Sequence, residues 1–164
     1  MTTFTRLRFL FALAAVALML GAGVASAGVA TSASNGLTSA GAPLAIHGFD
    51  AVAYHQEGES RRGLAKHQTK WQGAVYRFTS KANLETFESD PQRYAPAFGG
   101  FCAYGVSVGK KFDGDPEVFK IVDGRLYFNL NPEIQATWEK SLERNLRKAE
   151  KQWQKIASVA VDEL

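Results

Sequence analysis

The chain has 164 residues, of which 46% are hydrophobic and 21% charged. This composition is typical of a globular protein and excludes a mainly disordered or collagen-like chain, and the length suits one domain. The formal net charge is +3, and the single cysteine, Cys102, excludes an intramolecular disulfide.

Residues 1–27 are predicted to be a cleaved secretory signal. Arg6 and Arg8 precede an apolar run at residues 9–24, and the small triplet at 25–27 (ASA) has the A-x-A form of a cleavage site. The alternative is an uncleaved membrane anchor, but the run is at the short end of the roughly 17–25 residues that span a bilayer. We therefore expect an exported protein, periplasmic or secreted, without stable membrane insertion after cleavage.

Removal of this signal leaves a mature chain that is nearly neutral. The net charge falls from +3 to +1, because the segment carries two arginines and no acidic residue. No run of like charges remains, so we expect no nucleic-acid partner. Residues 28–43 are rich in Gly, Ala, Ser and Thr and predict a flexible tether. The folded domain is predicted at 44–157, and residues 158–164 are predicted to be a loose C-terminus.

Two hairpins are predicted from turn chemistry. Asp123 and Gly124 form a strong two-residue turn signal between strands at 118–122 and 125–130, which places Ile121 opposite Leu126 and Phe119 opposite Phe128. A weaker signal at 72–73 (QG) joins strands at 66–71 and 74–78. In that register His67 shares a face with Thr69 and Trp71 and points toward an aromatic surface.

Two helices are predicted from caps and apolar spacing. Ser80 is a favourable N-cap for a short helix at 81–89. Asn131 and Pro132 begin a longer helix whose apolar residues recur at spacings of three or four as far as Ile156. The sequence therefore predicts an α+β fold, with a small antiparallel sheet of hairpins, a short helix and a long C-terminal amphipathic helix.

Cys102 is the residue with most chemical potential. It lies in a segment with three glycines and one alanine, 98–105 (FGGFCAYG), which allows close backbone approach and is compatible with an accessible sulfur. A lone thiol in an exported protein is unusual, and a metal ligand, a redox-active thiol and a nucleophile are all open roles. The alternative is a small buried apolar residue. His47, His55 and His67 are not spaced as a metal motif, so any site with Cys102 must be assembled by folding.

The chain resembles the YHS domain family, specifically its exported single-domain members, over about residues 44–156. The resemblance is carried by short ordered matches at 48–54 (GFDAVAY), 76–80, 87, 91, 94, 98–104 (FGGFCAY), 114–116 (GDP), 122–124, 126–127 and 129–132 (NLNP). The family is suspected of metal binding, copper first, through two cysteines in the pattern F-C-S-x-x-C. In this chain those two positions are Thr79 and Asn83, so that ligand pair is missing.

The resemblance implies an exported binding domain, and it leaves open whether the domain also catalyses a reaction. The leading expectation is copper bound through Cys102 and His67, with the metal ion or an envelope protein as the partner. A thiol-based redox protein using Cys102 is one alternative. A non-catalytic interaction module, in which Cys102 is structural, is the other.

Overall fold

The computed structural model describes residues 33–38 and 41–164, so the predicted signal lies outside the described residues. Within them the chain forms strands and helices in an α+β arrangement, as predicted. The strands are β1 Ala33–Leu37, β2 Pro43–Ala45, β3 Leu64–Trp71, β4 Ala74–Phe78, β5 Asp115–Val122 and β6 Arg125–Asn129. The α-helices are α1 Ala51–Gln56, α2 Lys81–Ser89, α3 Pro91–Tyr94, α4 Ala103–Ser107, α5 Pro132–Glu139 and α6 Leu142–Ile156.

The larger sheet has the strand order β1-β2-β4-β3. Strands β1 and β2 are antiparallel, as are β3 and β4, but β2 runs parallel to β4 with Leu44 opposite Val75. Both predicted hairpins are antiparallel, and the parallel pairing of β2 with β4 is an addition that the sequence did not predict. The chain between β2 and β4 contains α1 and the edge strand β3, which supply the crossover that a parallel pair needs.

The β3–β4 hairpin is confirmed near its turn and shifted farther away. Trp71 pairs with Ala74, and Thr69 pairs with Tyr76, as the two-residue turn predicts. Beyond Gln68 the register shifts, and Leu64 rather than His67 lies opposite Phe78. A β-bulge inserts extra residues into one strand and cannot be seen from the turn. The predicted register therefore holds from Trp71 to Gln68, and His67 lies in the irregular stretch beyond it.

The β5–β6 hairpin has the predicted register throughout its turn-proximal half. Phe119 pairs with Phe128, and Ile121 pairs with Leu126. Asp123 has φ 50° and Gly124 has φ 74°, the left-handed conformations of a type I′ turn. All four apolar residues pack into one core cluster, which confirms that turn chemistry and hydrophobic alternation specify the same register.

Two hydrophobic cores lie side by side along the chain. The first core joins the larger sheet, α1 and α2 to the inner face of β6, and includes Tyr54, Tyr76, Phe78, Phe87 and Phe128. The second core joins α4, α5 and α6 to the segment before α4, and includes Phe98, Phe101, Tyr127, Trp138 and Ile156. Strand β6 contributes alternate residues to both cores, because successive side chains of a strand point to opposite faces.

The predicted C-terminal helix is two helices rather than one. Helix α5 ends at Glu139, and α6 begins at Leu142 after Ser141 adopts φ −143°. The carbonyl of Trp138 accepts hydrogen bonds from the Ser141 amide and from the Asn145 side chain, at 3.3 and 2.8 Å. The side-chain amide replaces a helical N–H at this carbonyl, so the helix breaks while the apolar stripe continues across the break.

The two segments predicted to flank the domain also take part in the structure. Strand β1 and the first residue of β2 fall within the predicted tether, while residues 28–32 and 39–40 lie outside the described residues. Beyond α6, the Lys111 ammonium donates hydrogen bonds to the carbonyls of Ala157 and Val159, at 2.9 and 2.6 Å. The segment expected to be a loose C-terminus is thus hydrogen-bonded to the loop that follows α4. Among the described helices, none has the length and apolar character needed to cross a membrane.

Candidate functional site

Cys102 is buried, with 1% of its surface exposed. Its thiol donates to Asn129 Oδ1 at 3.6 Å, and its sulfur accepts the Gly105 amide at 3.4 Å as the N-cap of α4. Burial raises the pKa of the thiol, and hydrogen bonds from the backbone of Gly105, Leu130 and Tyr104 only partly oppose that rise. In this arrangement the thiol is neutral, and its two hydrogen bonds link the start of α4 to the end of β6.

The structure places the three histidines in separate environments. His67 is half-buried on the edge strand β3, and no hydrogen bond or ion pair links it to Cys102 in the described part of the chain. His55 packs edge-on against Tyr94, where burial and then the charge of Arg93 lower its pKa. Residues 33–38 and 41–164 contain no group of three or more His, Cys, Asp or Glu that could hold a metal ion.

Asp50 organises a buried polar network that includes Thr79 and Asn83. One carboxylate oxygen accepts the amides of Val52 and Ala53 and caps α1, at 2.9 and 3.3 Å. The other accepts the amide and hydroxyl of Thr79 and the side-chain amide of Asn83, each at 2.8 Å. Thr79 and Asn83 therefore act as hydrogen-bond donors to a fully buried carboxylate.

A cleft of about 300 Å³ opens where the two cores meet, and we call it the junction cleft. Trp71 and Tyr76 form its wall from the first core, and Phe98 and Trp153 form its wall from the second. Tyr76 and Phe98 are buried, whereas both tryptophans are half-buried and present ring surface to the opening. The remaining lining residues are Gln72, Gln92, Arg93, Ala95, Pro96, Ala97, Gly99 and Arg125.

The junction cleft is cationic. Arg93 and Arg125 line it, and no carboxylate lies among its lining residues. Arg125 forms a 3.4 Å ion pair with Glu150 in which both side chains are about half exposed, so solvent screens it strongly. Arg93 is exposed and lies 5.5 Å from the ring centre of Tyr94. Its guanidinium therefore keeps its hydrogen-bonding capacity for a ligand.

Two residues of the junction cleft hold unfavourable backbone conformations. Gln72 has φ 45° and Phe98 has φ 53°, a left-handed region that bulky residues seldom enter. Such conformations cost on the order of 1–3 kcal/mol each and cluster at functional sites. Gln72 is the first turn residue of the β3–β4 hairpin, and the strain at Phe98 directs a buried aromatic ring into the cleft wall.

A second, wider cleft of about 450 Å³ lies beside the start of β5. It contains the ion pair between His47 Nε2 and Asp113 Oδ2, at 2.9 Å. Asp115 and Glu117 add carboxylates, and Arg62 lies 4.7 Å above the Phe49 ring. Positive and negative side chains alternate in this cleft, and His47 is already paired with a carboxylate. The cleft therefore favours neither anionic nor cationic ligands, whereas the junction cleft favours anions.

The residues of the junction cleft could not be found by reading the sequence. Trp71 lies on the predicted hairpin face, and Trp153 lies within the apolar pattern of the predicted C-terminal helix, so both local predictions are correct. The cleft joins them to Arg93 and Arg125, which come from two further segments. The left-handed conformation of Phe98 depends on the tertiary structure, and no short sequence motif predicts it.

No family model, curated protein or solved structure significantly matches this chain.

Proposed function

We propose that this chain is an exported, non-catalytic binding module of the YHS family, and that its junction cleft binds a planar organic anion. The observation that carries the proposal is the combination of four aromatic side chains in the cleft walls with two arginines and no lining carboxylate. Aromatic side chains stack on planar ligands, and guanidinium groups bind carboxylates through two parallel hydrogen bonds. A ligand that is both planar and anionic uses both features of the cleft.

The size of the cleft limits the ligand further. Its volume of about 300 Å³ is at the lower end of the range of about 300–1,000 Å³ for small-molecule sites. One or two fused rings with a single carboxylate fit this space, whereas a dinucleotide does not.

The environment of Cys102 supports a structural role for this residue. A metal ligand or nucleophile must be the thiolate, and burial raises the pKa of this thiol. Both Cys102 interactions, with Asn129 and with Gly105, serve the neutral thiol and the α4 cap. Copper binding through Cys102 and His67 would have to break these two interactions, and so would a thiol redox reaction. We therefore prefer the binding module to either of these functions.

The binding proposal can be tested with 2-naphthoate as the probe and 2-naphthamide as its neutral counterpart. The three tryptophan indole N–H groups give separate signals in nitrogen-15 NMR spectra. We expect naphthoate to shift the signals of Trp71 and Trp153, which line the cleft, and to leave Trp138, which is fully buried. The amide should bind at least tenfold more weakly, because a hydrogen bond to a charged group contributes about 1.5–3 kcal/mol.

A matched pair of variants separates the cleft from general charge effects. R93Q/R125Q should weaken naphthoate binding at least tenfold. R61Q/R147Q removes two exposed arginines that pair with glutamates outside the cleft, and it should bind naphthoate like the wild type. Equal binding of naphthoate and naphthamide, or equal loss in both double variants, would refute the proposal.

Export is a separate part of the proposal and rests on residues 1–27 of the sequence. Expression of the full chain in a bacterium, followed by fractionation and N-terminal sequencing, tests it. We expect a periplasmic protein that begins at Gly28. A protein retained with Met1 in the cytoplasm or membrane fraction would contradict the export assignment without affecting the naphthoate result.

A further inference from the structure

A row of basic side chains follows the exposed side of the C-terminal helices. Its members are all exposed and recur at spacings of three or four residues, and we call them the basic row: Lys140, Arg144, Lys148, Lys151 and Lys155. The last four members lie in α6, where residues at this spacing share one face, and they extend over about 16 Å at 1.5 Å per residue. Lys140 lies in the turn between α5 and α6.

Nearby acidic residues do not neutralise the row. Glu139 pairs with Lys120 at 2.9 Å, Glu143 with Arg147 at 3.7 Å, and Glu150 with Arg125 at 3.4 Å. In the part of the chain that the structure describes, members of the row form no ion pair. The whole chain carries a net charge of only +3. The positive charge on this face is therefore much denser than the net charge of the chain suggests.

The first three members of the row open onto a cleft of about 350 Å³ between α4, α5 and α6, which we call the basic cleft. Its other lining residues are mostly hydroxyl or amide side chains and include no carboxylate: Tyr104, Ser107, Val108, Thr137, Ser141 and Asn145. Arg144 is held in place by a 3.0 Å hydrogen bond from its Nη2 to Ser141 Oγ. Three cations and several hydroxyl groups therefore surround one concave space.

We propose that the basic cleft binds a phosphate group, supplied either by a phospholipid headgroup or by a soluble phosphate. A tetrahedral phosphate oxyanion has several oxygens, so it can contact more than one of the three cations of the cleft, Lys140, Arg144 and Lys148. The hydroxyl donors for it are Tyr104 and Ser141, because the hydroxyls of Ser107 and Thr137 already donate to backbone carbonyls. Ser141 provides no side-chain cap for α6, so the first-turn amides add to the positive potential. The break between α5 and α6 is what opens this space.

The remaining members of the row extend the attraction beyond the cleft. Lys151 and Lys155 lie one and two turns farther along α6, where they steer an anionic surface without touching the bound group. Val108 is 55% exposed at the cleft rim. An exposed apolar residue beside clustered cations is the arrangement that contacts an anionic lipid surface, which gives the headgroup source a specific test.

Two probes distinguish the sources. Inorganic phosphate is titrated while the backbone amide signals of residues 140–148 are followed by NMR. Vesicles of phosphatidylcholine containing one quarter phosphatidylglycerol are compared with pure phosphatidylcholine vesicles by co-sedimentation. Saturable shifts with phosphate would support the proposal with a soluble source, and selective sedimentation with phosphatidylglycerol would support it with a lipid source.

A charge-matched pair of variants keeps the proposal falsifiable. K140Q/R144Q/K148Q removes the three cations of the cleft, and K66Q/K70Q/K81Q removes three exposed lysines of β3 and α2. All proteins share the same N-terminus, so its contribution to vesicle binding cancels. We expect at least tenfold weaker binding in the first variant and less than twofold change in the second, with unchanged melting temperatures. Equal losses in both, retained binding in the first, or no binding of either probe by the wild type would overturn the proposal.

Discussion

Asp50→Asn should be one of the most damaging conservative changes in this chain. The carboxylate is fully buried and accepts hydrogen bonds from Val52, Ala53, Thr79 and Asn83. Asparagine has one acceptor oxygen where aspartate has two. Its NH₂ group must therefore replace one of the two carboxylate oxygens and face the N–H donors whose hydrogen bonds this oxygen accepts. In the less costly orientation two hydrogen bonds are lost at the α1 cap. At about 1.5–3 kcal/mol for each bond to a charged group, the loss is about 3 kcal/mol or more.

Urea denaturation and thermal melting measure this loss directly. A destabilisation of that size should lower the melting temperature by about 10 °C or more in a domain of this length. Asp90→Asn is the matched control, because Asp90 caps α3 at an exposed position where asparagine caps equally well. If Asp50→Asn and Asp90→Asn unfold at the same urea concentration, the network does not stabilise the fold as we argue.

Two further predictions concern buried groups near α4. The folded protein should react with a thiol reagent at Cys102 at least a hundredfold more slowly than the protein in denaturant, and similar rates would contradict burial. Folding raises the pKa of the Cys102 thiol. The free energy of unfolding should therefore be unaffected by this thiol below about pH 8.5, the usual thiol pKa, and should fall as the pH rises above it, because the unfolded thiol then ionises more readily than the folded one. Cys102→Ala should remove this pH-dependent loss of stability. Lys111→Met should accelerate amide hydrogen exchange in residues 157–164 at least tenfold, whereas the exposed Lys155→Met should not; unchanged exchange would show that the ammonium does not hold this segment.

Local chemistry predicted those elements whose determinants are close in sequence. The β5–β6 register followed from Asp123 and Gly124, since a two-residue turn leaves one pairing that buries all the apolar residues. The caps at Ser80 and Asn131 were also correct, and both side chains accept the expected amides. In each case the residues that decide the structure lie within four positions of the feature they specify.

Features that depend on distant residues were not predictable in the same way. The start of α1 is fixed by Asp50, but its carboxylate is kept in the interior by Thr79 and Asn83, about thirty residues later. The break between α5 and α6 depends on Asn145, which occupies a buried position inside an otherwise regular amphipathic pattern. A sequence pattern reports which face is apolar, but it does not report which polar side chain will replace a backbone donor.

The position of Cys102 determines how a binding defect in a Cys102 variant must be interpreted. Phe98, four residues earlier, forms part of the junction cleft, and the same segment is held to β6 through Asn129. Loss of the thiol could therefore shift a cleft wall and weaken naphthoate binding without any chemistry at sulfur. Cys102→Ser resolves this, because a hydroxyl still donates to Asn129 and caps α4 through Gly105. Binding restored in the serine variant but not in Cys102→Ala indicates a structural cysteine, whereas equal loss in both indicates that sulfur itself is required.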